Sequence, residues 1–465
     1  MCLRYFIIHL FCFVCACGQA QVIKGRVLDH NGLPVPYANI GILDTQIGTA
    51  SNEDGFFVLF FSIDYNEAIL QVSAISHKTY SVKISDISVP TNYEITLAPH
   101  YVVLDEIKVS ALDENARKIV EKALENQSYN YAQKKYQLKG FYRELLRNDE
   151  TYVALTEAAF TMDDKGYHKS RDKRFRLDEL RKSNDLRKMD DLDIHYDSLT
   201  EQNHLVSALR SDFIDGQNAK WSFSFWPNFN SKMLEHFEFF LDSMAFYDDQ
   251  LVYCISLYSK SKSWDKKSNL VEYNRVVITR GDYAMIELHK GMKPREIKKT
   301  GSGQKGNVSY LVEGFVYSKS SIYYQKHNNR WYPHLITIHS SVVGGDRQKS
   351  SRLAFERLRQ QGTDELNFDN IKYNGRLLDP DKNNYFRHRQ VLITHIRDHK
   401  DGFKKIRNKE LMDKDKYLHS FELPYNKYFW QNFNTILRNP YLKAAENDLT
   451  SQRSLEEQFE ANGSK

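Results

Sequence analysis

The chain has 465 residues, more than one ordinary core accommodates, so roughly two to three domains are expected. Its formal net charge of +5 is small for that length, and basic residues are interspersed with acidic ones, which excludes a nucleic-acid footprint. Tyr and Phe number 29 and 27 against 5 Trp; these residues suit pleated, half-buried surfaces, so the composition leans toward a large antiparallel sheet, with an aromatic-lined ligand groove as the competing reading.

Residues 1–20 read as a secretory signal peptide. Arg4 precedes the apolar run Tyr5 to Val14, and small residues end at Gly18-Gln19-Ala20, which predicts cleavage after Ala20. Val14-Cys15-Ala16-Cys17 also loosely resembles a bacterial lipoprotein signal, in which Cys17 would be lipidated. Either route exports the chain to the periplasm or the outer membrane. Four of the five cysteines lie in this leader, and Cys254 alone remains in the body. The mature chain therefore has no internal disulfide and no cysteine-based zinc site, and Cys254 reads as a buried strand residue.

Residues 21–98 read as a small β-sandwich of seven strands. Ile23, Gly25 and Val27 alternate with Lys24 and Arg26, the period of a half-buried strand. Asn31-Gly32 supplies a tight turn, and Pro34 and Pro36 suit a strand edge. A second turn at Asn52 to Gly55 leads into the apolar run Phe56 to Phe61. Ala68 to Ile75, Thr79 to Ile84 and Tyr93 to Leu97 complete the set. The motifs Gly25-x-Val27, Asp29-x-x-Gly32-x-Pro34, Ala38-Asn39-Ile40 and Gly48-Thr49-x-Ser51-x-x-Asp54-Gly55-x-Phe57 stand in order along it. With the strand Leu70 to Ser76 they resemble the carboxypeptidase regulatory-like domain, a transthyretin-like sandwich of Gram-negative envelope proteins. Ser51 stands where that family usually has Thr, and His77 where Gly is common. The resemblance implies a folding and interaction module without catalytic residues.

Residues 99–111 read as a linker strand. Val102 to Val109 resembles the short strand that often follows such a domain in TonB-dependent receptors. The period then changes: Ala116, Ile119, Val120, Ala123 and Leu124 share one helix face, with Asp113 placed as a cap. The expected role is to cover one side of the sheet that follows; a partner-binding helix is the alternative.

Residues 112–416 read as an antiparallel sheet domain with helices. Candidate strands are Tyr136–Leu146, Thr151–Met162, Met244–Leu257, Leu270–Thr279, Tyr283–His289, Val308–Tyr324, Trp331–Val343 and Tyr385–Ile396. Gly281-Asp282 and Asn328-Asn329 read as hairpin turns, so the strands form a meander. Arg171 to Asn218 reads as loops with short helices, Ser231 to Leu241 as a short amphipathic helix, and Gly301 to Gly306 as a loop. Residues 417–465 read as a helical tail, with Tyr428, Phe429, Trp430, Phe433 and Ile436 packing one helix on the sheet and Leu455 to Phe459 forming a last one.

No catalytic, cofactor-binding or metal-binding residue emerges. The only His-x-x-Glu is His419 to Glu422, too near the C-terminus for a peptidase core and third ligand, which rejects a zinc carboxypeptidase. There is no His-Glu-x-x-His, no nucleophile elbow, no phosphate loop and no dinucleotide fingerprint. Asp248-Asp249 reads as an ordinary turn. Arg387-His388-Arg389 with His395, Arg397, His399, Lys404, Lys405 and Arg407 could touch lipid headgroups or glycan, but Asp398, Asp401 and Glu410 interrupt it and favour a solvated strand face and loop. An outer-membrane barrel is disfavoured by the polar helical tail and by charges such as Arg275 and Lys319 within strands.

The sequence thus predicts a mainly β protein with α: an N-terminal seven-stranded transthyretin-like sandwich, then an α+β domain with a large curved antiparallel sheet. A curved aromatic sheet clasping a helix resembles, in architecture alone, the half-barrel of periplasmic lipoprotein carriers. The leading functional expectation is a non-enzymatic binding or assembly role at the periplasmic side of the outer membrane, with an unidentified envelope protein or apolar ligand as partner. The alternatives are a carrier of lipid or another apolar ligand, and an enzyme of unrecognised type.

Overall fold

The structure is a computed structural model that describes residues 20–88, 90–102, 106–148, 151–167, 173–183, 204–210, 212, 234–235, 237–260, 270–294, 318–343, 384–414, 416, 418–437, 446–450 and 453–462. The molecule is mainly β. Its N-terminal part is a sandwich of seven strands: β1 (Ala20–Asp29), β2 (Asn39–Ile42), β3 (Gly48–Ala50), β4 (Phe56–Ser62), β5 (Ile69–Ser73), β6 (Tyr80–Lys83) and β7 (Tyr93–Leu97). One sheet runs β4-β1-β7, with β1 antiparallel to β4 and parallel to β7; the other runs β3-β2-β5-β6. Val27, Ile40, Phe57, Leu59, Leu70 and Val72 fill the space between them. The motif residues have structural work. Asp29 accepts the amides of Asn31 and Leu33, each at 2.8 Å, which closes the turn around Gly32 at φ +79°. Ser51 Oγ accepts from Ala38 N and donates to Val35 O, both at 2.8 Å, so a shorter hydroxyl residue serves in the place usual for Thr.

The second unit is one sheet of eleven strands. Its members are β8 (Tyr101–Val102), β9 (Tyr136–Asn148), β10 (Thr151–Asp164), β11 (Arg174–Lys182), β12 (Phe237–Tyr247), β13 (Gln250–Ser259), β14 (Leu270–Thr279), β15 (Met285–Pro294), β16 (Ser318–His327), β17 (Arg330–Val343) and β18 (Asn384–Arg397). The order is β11-β10-β9-β18-β17-β16-β15-β14-β13-β12-β8, every pair antiparallel. Among the described residues the sheet is open, with β11 and β8 at its edges. No described helix is long and apolar enough to cross a membrane, which says nothing of a β-barrel.

Helices α1 (Glu106–Glu125), α2 (Gln127–Asn130) and α3 (His204–Leu209) pack on one face, here called the inner face. Ala116, Ile119, Val120 and Ala123 of α1 are buried there, the stripe that its spacing predicts. Helices α4 (Lys427–Gln431) and α5 (Leu455–Asn462) lie against the opposite, outer face, where Trp430 packs on Phe141 and Phe459 joins Leu145 and Leu155.

Several expectations are corrected. Among the described residues of 99–111, strand is confined to Tyr101–Val102, because α1 begins at Glu106 and Asp113 lies inside it. The β-branched Ile107 and Val109 suggest a strand, yet Val109, Leu112 and Ala116 extend the helical spacing backwards. Met244–Leu257 is two strands, β12 and β13, joined at Asp248-Asp249, both left-handed with φ 48° and 57°. Phe237 to Leu241 is therefore strand and not helix. Within Arg171 to Asn218, Arg174–Lys182 is the edge strand β11 and His204–Leu209 is the only described helix. The expected helix through Ile436 is a single turn, although Phe433 and Ile436 still pack on the sheet. Gly301 to Gly306 and residues 308–317 of the expected strand Val308–Tyr324 lie outside the described residues. The hairpin turn at Asn328-Asn329 is present, with both residues left-handed.

Gly140, mid-strand in β9, is required by close approach. A Cβ there would meet Leu392 O at 2.5 Å and the Phe160 ring at 2.8 Å. Gly140→Ala is expected to cost about 1–3 kcal/mol in urea unfolding, through overpacking where β9 is flanked by β10 and β18.

Candidate functional site

The sandwich rests on the outer face of the large sheet, and this seam holds a dense group of titratable side chains. Strand β3 lies over β18, with Ala50 packed among Phe141, Leu335 and Leu392. A second joint is at the sheet edge, where Ser76 N donates to Phe246 O at 2.9 Å and His100 stacks on Phe246 at 3.8 Å. The C-terminal segment closes a third side: Asn434 Oδ1 accepts from Phe60 N at 2.7 Å and its amide donates to Phe60 O at 3.1 Å, occupying the β4 edge.

Strand alternation places His339 of β17 and His388 of β18 on the outer face at directly paired positions. Their rings stack at 4.0 Å. The sandwich turn between β3 and β4 brings Glu53 to them, with its Oε1 at 3.9 Å from His388 Nε2. Ligand atoms of Glu53, His339 and His388 all lie within 4.8 Å of one another. The Tyr37 hydroxyl donates to Glu53 Oε1 at 2.8 Å, and the Tyr37 ring lies 5.3 Å from that of Tyr323. Next along the sheet, His289 Nδ1 is 2.9 Å from Ser321 Oγ and its Nε2 is 3.1 Å from Glu287.

Burial holds both His339 and His388 below the usual imidazole value; Glu53 opposes this at His339, while His339 and nearby arginines reinforce it at His388. Neutral rings with open lone pairs are ligands, not general acids. Burial and the neighbouring carboxylates raise Tyr37 and Tyr323, so both hydroxyls stay protonated. The seam can bind and orient a cation, but it brings together no activated nucleophile.

A polar cleft of about 500 Å³ opens at one end of the large sheet, between Tyr129 to Lys134, the Asn328–Arg330 hairpin and the Asp398 to Lys400 turn. His327, Asp398 and Asp401 beside it also lie close enough to share an ion. Their oxygens, however, are engaged in the turn itself: Asp401 Oδ2 takes His327 Nε2 at 2.7 Å and Asp398 N at 2.8 Å, and Asp398 Oδ1 takes Lys400 N at 2.7 Å.

The basic run 387–407 is not one surface. Arg387 is buried on the inner face, its Nε 3.6 Å from Glu144, which also accepts from Tyr142 at 2.7 Å. His388 faces the seam, and burial takes His395 down to about 4, whereas Arg397, His399, Lys404, Lys405 and Arg407 are exposed. The strand period explains the split, since 387 and 388 point to opposite faces. His419 and Glu422 belong to neither ion-capable group among the described residues. Cys254 is buried in β13, as its apolar surroundings predict. Sequence reasoning passes over Glu53 and His339, because only the pairing of β17 with β18 and the docking of the sandwich bring them to His388.

No curated protein matches the chain. Two solved structures align over most of their own length: a putative outer membrane lipoprotein-sorting protein domain from Vibrio parahaemolyticus (9% identity, 63% of this chain and 96% of that one, TM-score 0.23) and a DUF1329 family protein from Desulfovibrio piger (7%, 62% and 95%, TM-score 0.21). Scores that low carry no argument about fold or function. The sandwich is different: residues 23–109 match the family model described as CarboxypepD_reg-like domain, and that segment of the chain is one.

Proposed function

We propose that the chain is a non-enzymatic envelope protein with a binding or assembly role at the periplasmic side of the outer membrane. The observation that carries this reading is the state of the sheet's inner face. A carrier needs a cavity there, and at one end of that face the described side chains pack on one another. Tyr131, Tyr136, Tyr167, Tyr324 and Tyr332 pack against one another with ring centroids 5.2–6.3 Å apart. Four of the hydroxyls have internal partners: Tyr131 donates to Met285 O at 2.7 Å, Tyr136 to Asp164 at 3.1 Å, and Tyr167 and Tyr324 to the buried Asp212 at 2.7 and 2.5 Å. These five tyrosines therefore serve as core, and the proposed role falls to the outer surfaces. The leader-like pattern of residues 1–20, which lie outside the described residues but for Ala20, and the regulatory-like sandwich support the location.

The test is in-cell cross-linking of the full chain, with photoreactive residues in place of the exposed Tyr428 and Phe240. A discrete adduct with one envelope protein, in the envelope fraction, is expected. A chain that stays uncross-linked at both positions, or saturable one-to-one uptake of a fluorescent fatty acid by the pure protein, would overturn the reading.

A further inference from the structure

We propose that Glu53, His339 and His388 form a binding site for a divalent transition-metal ion of the zinc class, one that staples the sandwich to the large sheet. This goes beyond the binding or assembly reading and does not depend on it.

The donor set is two imidazoles and one carboxylate, a combination that suits zinc and its neighbours and not the oxygen-preferring calcium or magnesium. Tetrahedral coordination at about 2.0–2.1 Å puts ligand atoms about 3.4 Å apart. The His388–Glu53 separation of 3.9 Å is already near that, and all three groups lie within 4.8 Å. The rings are stacked with 18° between their planes, so a shared ion requires the two imidazoles to turn until their lone pairs converge.

Three further observations point to a ligand. His388 Nε2 is buried and makes no hydrogen bond, a state that costs free energy unless something occupies it. The two imidazoles sit at a directly opposed cross-strand pair, so the sheet fixes their separation. The Tyr37 hydroxyl donates to Glu53 Oε1, the kind of outer contact that orients a metal-binding carboxylate. The side chains of His388 and Glu53 retain 22% and 29% of their exposure, so the group lies near the surface although His388 Nε2 itself is buried. Two ligands come from the sheet and one from the sandwich, so an ion here resists their separation.

The experiment uses the full mature chain, stripped with chelator and titrated with Zn²⁺ against a chromophoric competitor, with thermal unfolding followed in parallel. One equivalent is expected to bind at micromolar affinity or tighter and to raise the unfolding temperature. Glu53→Gln and His388→Gln are each expected to weaken binding at least about tenfold and to abolish the thermal shift. His289→Gln, an equally placed seam histidine outside the group, should leave both unchanged. Absence of a one-to-one site in the wild type would overturn the proposal. So would full binding by a folded Glu53→Gln, the partly exposed position least able to harm the core. Loss of the site in Asp401→Asn, with Glu53→Gln unaffected, would assign the ion to the other cluster and would equally overturn it.

Discussion

Glu157→Gln is expected to lower the unfolding free energy by about 3–5 kcal/mol. Glu157 is fully buried on β10 and is shared by two arginines: Arg143 Nε at 2.6 Å from Oε1, and Arg181 Nε at 2.6 Å from Oε2. Arg143 is itself only 2% exposed. Taking the charge from the carboxylate leaves a guanidinium out of water without its anion, and the Gln390 amide oxygen at 3.4 Å is a weak substitute. The loss extends to the C-terminal segment, because Arg181 lies 4.3 Å over the Trp430 ring and 5.4 Å over Phe459. Urea unfolding followed by tryptophan emission measures it. A double replacement, Arg143→Met with Glu157→Met, should recover part of the loss, since it removes the two most deeply buried charges and leaves only Arg181, whose side chain is 13% exposed, without its carboxylate. A single-variant cost below about 1 kcal/mol would mean that water reaches this triad.

Acid is expected to weaken the protein through His334. This side chain is 2% exposed on β17, beside the backbone of Thr49 in the sandwich and Ile393 in β18. Burial lowers it from 6.5 to about 4, against the opposing pull of those backbone groups. Between those values the unfolded chain binds a proton that the folded chain refuses. Stability is therefore intact above pH 6.5, falls as the pH drops toward 4, and levels off below. Each tenfold difference in proton affinity between the folded and unfolded chain is worth about 1.4 kcal/mol, so this one residue removes roughly 3 kcal/mol across the window. Burial likewise takes His395 and His419 to about 4, and both act in the same direction. His334→Gln should be less stable than wild type at pH 7.5 yet lose less between pH 7 and 4.5. Parallel losses in the two proteins would show that His334 already carries its proton in the folded state.

The sandwich is legible because its turns are written in residues with one use. Asn31-Gly32 and Asp54-Gly55 demand left-handed backbone, and Gly32 and Gly55 have φ +79° and +80°. Alternating apolar residues between such turns fix both strand and face. Strand β18 is legible for the same reason, Tyr385–Ile396 against the observed Asn384–Arg397. The β12–β13 hairpin is half legible: Asp248-Asp249 reads as a turn and is one, but without glycine the pair does not force left-handed backbone, so the strand reads straight through it. Edge strand β11 escapes it because its charges are partnered within the sheet: Arg176 with Asp178, and Arg181 with Glu157. A strand whose polar side chains are used this way reads as a loop. The seam is not legible at all. His339 and His388 face each other only through strand pairing, and Glu53 reaches them only because the sandwich docks on the outer face. Neither relation leaves a local pattern.

Among the described residues the inner face of the large sheet is packed by helices and tyrosines, and on the proposed reading the chain works through its surfaces. Native mass spectrometry of the mature protein, purified from the envelope without detergent exchange, tests this most directly. The expected result is the mass of the polypeptide, with a metal ion at most as a bound small species. A stoichiometric lipid that leaves only on denaturation would contradict it.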